Sequence, residues 1–164
     1  MPPDGCYTPC IGNLVSLLRY SRYSTLTCIH ALTQYELDFY IDSKANSIGI
    51  LLRHIAALET LFQCVVFEVR DLTPNEKEFW KGSLSGELYL RLVNGHELNY
   101  YINILEQTRN KTYESLKYKD DQWLFSETRY PFGSPVNNYY CLFHIMEDEL
   151  NHLGQIKMIK ERIM

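Results

Sequence analysis

The sequence predicts an all-α fold, a four-helix bundle with a short helical insertion between its second and third helices. Three observations carry this: four long segments with apolar residues at helical intervals, no strand–helix alternation of the doubly wound kind, and no internal repeat. With 164 residues, 46% apolar and 22% charged, and only 8 Gly and 6 Pro, the composition is that of one globular domain spanning 1–164. A chain of this length buries roughly two thirds of its extended surface, so it needs no disulfide staples.

The first helix is placed from about residue 10 to 32. Thr8-Pro9 reads as its start, with the hydroxyl capping free N–H groups, and Leu14, Leu17, Leu18, Cys28, Ile29 and Leu32 recur at its spacing. From Thr33 to Asn46 the short alternation Tyr35, Leu37, Phe39, Ile41 lacks a partner strand and reads as an ordered connection. The second helix runs from Asn46-Ser47 to about Phe67, with Ile50, Leu51, Leu58, Leu61, Phe62 and Val65 on one side and His54 in the middle of that side. Thr73-Pro74, with Glu76 at capping-box spacing, opens a short helix that the stretch Gly82 to Gly86 ends. The third long helix spans about Glu97 to Tyr118, with Glu106 and Arg109 as an outward pair. The fourth starts at Ser134-Pro135 and reaches almost to the C-terminus, about 29 residues or roughly 43 Å.

Sixteen Lys+Arg against 20 Asp+Glu give a net charge of −4, and no basic cluster interrupts the balance, which disfavours a nucleic-acid surface. The opening Met1-Pro2-Pro3-Asp4-Gly5 has no secretory pattern, and the strongest apolar stretch, Leu61 to Phe67, is too short to span a bilayer. A cytoplasmic protein with no membrane partner is expected. The five cysteines (Cys6, Cys10, Cys28, Cys64, Cys141) form no Cys-x-x-Cys pair and read as thiols.

The chemistry-bearing feature is a stripe on the last helix. Residues four apart differ by roughly 40° in direction, so His144, Asp148 and His152 share one edge, bordered by Ile145 and Ile156. His54 can meet this stripe across a bundle core. Two imidazoles and a carboxylate suit zinc, nickel, iron or manganese and leave coordination positions open, as catalytic sites require. Spacing alone nonetheless ranks a hydrogen-bonded core cluster ahead of a metal site, because core histidines more often bond to neighbours than to ions. His30 and His96 read as surface residues. Glu149-Leu150-Asn151-His152 is a single Glu-x-x-His without the second copy a dinuclear centre needs, and Glu147 and Glu149 read as surface or interface carboxylates. A second apolar side, Phe143, Met146, Leu150 and Leu153, suggests a homodimer.

The segment Phe143 to Ile156, with His152-Leu153-Gly154-Gln155-Ile156 at its end, resembles the last-helix signature of the DinB-like family, which includes YfiT-type metal-dependent hydrolases and bacterial thiol S-transferases. Leu51 to Glu59 around His54, the opening Met1 to Gly5, and Leu18 to Tyr23 extend the resemblance over nearly the whole chain. It implies one divalent metal, zinc or nickel before iron or manganese, held by His54, position 148 and His152. Position 148 is Asp where the family has His, and Leu153 stands where the family has Arg. With the resemblance included, metal binding at His54, Asp148 and His152 outranks the core-cluster reading, and His144 and Tyr140 become pocket residues beside the metal. The function implied is a thiol S-transferase or hydrolase acting on a small electrophilic molecule, with a low-molecular-weight thiol as co-substrate; the alternative is a non-catalytic metal- or ligand-binding stress protein.

Overall fold

The computed structural model describes residues 6–43, 45–84 and 93–163. The protein is mostly helical: α1 (Pro9–Ile29), α2 (Gln34–Asp38), α3 (Ile48–Val66), α4 (Pro74–Phe79), α5 (Leu98–Leu116), α6 (Asp121–Phe125) and α7 (Asn138–Ile163), with β1 (Glu127–Thr128) paired antiparallel to β2 (Val136–Asn137). Of the four long helices, α7 packs against both α1 and α3, and α5 packs against α3 and α1. Met1 to Gly5, used above for compartment and resemblance, and the Gly86 end of the insertion lie outside the described residues.

The short elements differ from expectation for local reasons. Thr33 accepts from the Glu36 amide while the Glu36 carboxylate accepts from the Thr33 amide, so the segment expected as a connection holds the short helix α2. The same capping box at Thr73 and Glu76 starts α4 as expected. α1 starts at Pro9, but Thr8 makes no side-chain cap. Asp121 of α6 supplies it from outside, accepting from the Thr8 hydroxyl and from the amides of Cys10 and Ile11. α1 ends at Ile29, short of Leu32, because Ala31 takes a left-handed φ of 62°. α7 begins at Asn138 and not at Ser134-Pro135, since Val136 and Asn137 are committed to the strand pair.

Two apolar clusters fill the interior. One gathers Ile11, Leu14, Leu18, Phe62, Leu124 and Leu142; the other Ile29, Leu37, Leu51, Ile55, Tyr101 and Ile156. α3 is long and apolar enough to cross a membrane by length and composition, unlike the shorter stretch singled out in the sequence, and 83% of it is buried within the fold, the setting of a core helix. Of the second apolar side expected on α7, Leu153 is buried and Met146 packs into this chain's own core, whereas Phe143 and Leu150 remain exposed. The cysteines are thiols, as expected.

Between the clusters lies a closed ring of buried charge, one residue from each long helix. Glu149 Oε1 accepts from Arg22 Nε at 2.8 Å and Glu149 Oε2 from Arg109 Nη2 at 2.7 Å, while Glu59 Oε1 accepts from Arg109 Nε at 2.7 Å and Glu59 Oε2 from Arg22 Nη2 at 3.2 Å. Arg22 also donates to the Leu105 carbonyl and Arg109 to the Leu18 carbonyl, each four residues before the other arginine. Thr112 Oγ1 donates to Glu59. Two expectations fall here. Arg109, read as outward, is 2% exposed, and Glu149, read as a surface or interface carboxylate, is fully buried. Periodicity placed them outside because a charge is assigned to water unless its partners are known.

Burial alone drives the Glu149 carboxyl upward, but Arg22 and Arg109 outweigh it and hold the group below its ordinary value of 4.5. A carboxylate depressed in the folded state stabilises that state fully above its unfolded value, and the stabilisation is lost as pH falls through the folded value. Stability is therefore expected to be insensitive to this group above about pH 5 and to decline below about pH 4.5. Urea midpoints across pH 3–7 measure it, and a Glu149→Gln protein should lack that portion of the acid slope.

Candidate metal centre

His54 lies in the second turn of α3, whose start is capped by the Ser47 hydroxyl accepting from the Ile50 amide at 3.3 Å. Its Nδ1 sits 2.6 Å from the Ser83 carbonyl, an acceptor only, so Nδ1 carries the proton and Nε2 keeps its lone pair. That lone pair points toward α7, where Asp148 Oδ2 lies 3.7 Å away. One turn further on, His152 Nε2 is 3.4 Å from Asp148 Oδ1, and the two imidazoles meet edge to face with centroids 4.8 Å apart. One ligating atom from each of the three residues falls within 4.8 Å of the others. Tetrahedral ligands at about 2.0–2.2 Å from an ion stand roughly 3.3–3.6 Å apart, so the longest separation has to shorten by about 1.2–1.5 Å for the cluster to close on one.

Two further observations fit an ion. His152 Nδ1 is buried with no hydrogen-bond partner among the described residues, so unlike His54 this ring lacks a contact that fixes its tautomer. The charge is also right for a divalent cation. Burial pushes Asp148 upward, but the imidazoles of His152 and His54 beside it overcome that and hold the carboxyl well below the ordinary carboxylate range. Burial works to lower His54, and Asp148 with the Ser83 carbonyl more than reverses it, so a proton and a cation compete for its Nε2. One firmly ionised carboxylate between two imidazoles is a donor set for zinc, nickel, iron or manganese.

His144 does not join this convergence. Its Nδ1 lies 3.0 Å from Glu147 Oε2, and its ring packs edge-on against Phe62 and Tyr130 at 5.6 and 6.1 Å. Tyr140 is parallel to it at 6.3 Å and 42% exposed. Both residues thus lie in an aromatic wall, His144 about one turn and Tyr140 about two turns before Asp148. Sequence reasoning placed Phe62 on the His54 side of its helix without a role beside His144, and missed Ser83 and Tyr130, which come from segments with no motif of their own. His30 is exposed, and His96 stacks on Tyr100 away from the cluster, with ring centroids 3.9 Å apart. Glu149, the acid of the Glu-x-x-His unit, is turned into the arginine ring and is not a ligand.

Comparison with known proteins follows the fold. A DinB-like protein from Bacillus cereus ATCC 10987 superposes with a TM-score of 0.71 at 16% identity, over 92% of this chain and 90% of that one. A conserved protein from Enterococcus faecalis superposes with a TM-score of 0.69, also at 16% identity, over 89% and 92% of the two chains. At such identity the likeness concerns the fold alone. No curated protein matches the sequence. The family model of mycothiol-S-transferases matches residues 13–164, nearly the whole chain and all three members of the His54, Asp148, His152 cluster, and the protein therefore belongs to the mycothiol-S-transferase family within the DinB-like group.

Proposed function

We propose that this protein is a metal-dependent thiol S-transferase on a four-helix bundle, joining a low-molecular-weight thiol to a small electrophilic molecule. The observation that carries the reading is the convergence of His54, Asp148 and His152, with one ligating atom from each within 4.8 Å, in a chain of this family. A divalent ion, zinc or nickel before iron or manganese, supplies a Lewis-acid centre that lowers the pKa of a thiol or water. The chain's own groups do the rest. The Ser83 carbonyl holds the proton of His54 on Nδ1, and Asp148 carries the negative charge that a cation requires. His144, held at Nδ1 by Glu147, leaves Nε2 to orient substrate or accept a proton, and Phe62, Tyr130 and Tyr140 offer an apolar wall for the electrophile.

Elemental analysis of tag-free protein beside His152→Ala tests the site: about one ion per chain in the wild type, absent from the variant, is expected. Thiol consumption with a small alkylating electrophile tests the activity. It should stop in chelator and return on adding the metal back; turnover untouched by chelator overturns the enzyme reading. Tight metal occupancy without turnover would favour the binding-protein alternative. The proposal extends to a cytoplasmic homodimer that uses neither nucleic acid nor membrane. Exposed Phe143 and Leu150 on α7 support the self-contact, and sedimentation showing only monomer at micromolar concentration overturns it.

A further inference from the structure

We propose that the buried ring of Arg22, Glu59, Arg109 and Glu149 is a positioning device for the metal ligands, fixing the rotation of α7 about its axis so that Asp148 and His152 face His54. The inference rests on the metal reading of that cluster. Glu149 and Asp148 are adjacent in sequence and about 100° apart around the helix, so one direction determines the other. Glu149 points between α1 and α5, where both of its oxygens are held by guanidinium groups at 2.7 and 2.8 Å; Asp148 then points to α3. On α3 the same ring holds Glu59, so the helices carrying His54 and Asp148 are fastened to the same two arginines.

Magnitudes decide that this matters. A rotation of α7 by ~20° swings a ligand atom ~5–6 Å from the axis through about 2 Å. Metal–ligand distances tolerate only about 0.2 Å. Apolar burial is non-directional and does not by itself fix one rotation of a helix about its own axis. Directional, charge-assisted hydrogen bonds to planar guanidinium groups are far less tolerant. Replacing a whole buried ion pair by apolar side chains is often neutral for stability, and setting register is the best-attested role of such pairs.

The test separates positioning from charge and from stability. Metal-free protein is titrated with Co2+, reading affinity and the visible ligand-field bands, with urea unfolding in parallel. Arg109→Met removes a positive charge near the site, so electrostatics alone predicts tighter cation binding; positioning predicts weaker binding, by about 10–100-fold, and altered bands. Should Arg109→Met fail to fold, Arg22→Lys keeps the charge and removes only the planar fork, with the same expectation. Leu124→Ala, in the apolar cluster around α6, is the control for lost stability and should bind Co2+ as the wild type does. Tighter binding in Arg109→Met, or wild-type affinity and bands in Arg22→Lys, overturns the inference and leaves the metal reading standing. Wild-type protein that takes up no Co2+ overturns both.

Discussion

Asp148→Ala protein is expected to lose the metal while keeping its fold. Asp148 is the only charged group in the cluster and touches both imidazoles, at 3.7 Å from His54 and 3.4 Å from His152. Tight zinc sites release about 10–16 kcal/mol, or about 2.5–4 kcal/mol per ligand for four ligands, so removing one weakens binding on the order of 10²–10³-fold. Competition titration against a chelating dye reads this directly. Thermal scans give a second reading: wild-type Tm should rise with added metal and the variant's should not. Asp148→His, which exchanges the carboxylate for a third imidazole, should retain an ion. Undiminished affinity in Asp148→Ala would mean that the ion sits elsewhere.

The largest loss of stability is expected from Arg109→Met. The substitution approximates the side chain's volume but leaves Glu59 and Glu149, both fully buried, with Arg22 as the one cation of the ring between them. Removing one partner of a buried ionic cluster costs about 3–5 kcal/mol, a large share of the 5–15 kcal/mol typical of a whole domain. Urea unfolding should show a lower midpoint with little change in slope. Replacing all four ring members together by Met and Leu should restore most of the loss, because no uncompensated charge then remains. A quadruple variant no more stable than Arg109→Met would show that packing and not charge limits the site.

These two regions were unequally legible in the sequence. The long helices could be read because apolar residues at helical spacing report burial directly, and His54, Asp148 and His152 could be read because two of them share one helix edge and the third lies on an apolar face. The ring was misread, although its signal was present. Arg22 follows Leu18 by four residues, Glu59 follows Ile55 by four, Arg109 follows Leu105 by four, and Glu149 follows Ile145 by four; every preceding residue is buried. A charge in a core register argues for an opposite charge in another, and two of each balance here. What no spacing could supply was which pairs meet, because each contact joins different helices. The boundaries missed at α1, α2 and α7 have different roots: the β1–β2 pairing that delays α7 is a contact between segments, while the left-handed Ala31 that ends α1 and the Thr33–Glu36 box are local.

The burial of α3 has a consequence for synthesis. Its apolar surface leaves the ribosome before α5 and α7 exist to cover it, and at about 5–20 residues per second the interval from Val66 to Glu149 lasts roughly 4–17 s. At the start of that interval a helix with the length and composition of a membrane span stands open in the nascent chain, with Arg22 the one ring partner of Glu59 yet made; Arg109 on α5 follows, before Glu149. The ring closes only when Glu149 emerges, so the last long helix to be translated both buries the core and completes its charge balance, and the vulnerable period for this chain is set by elongation rate.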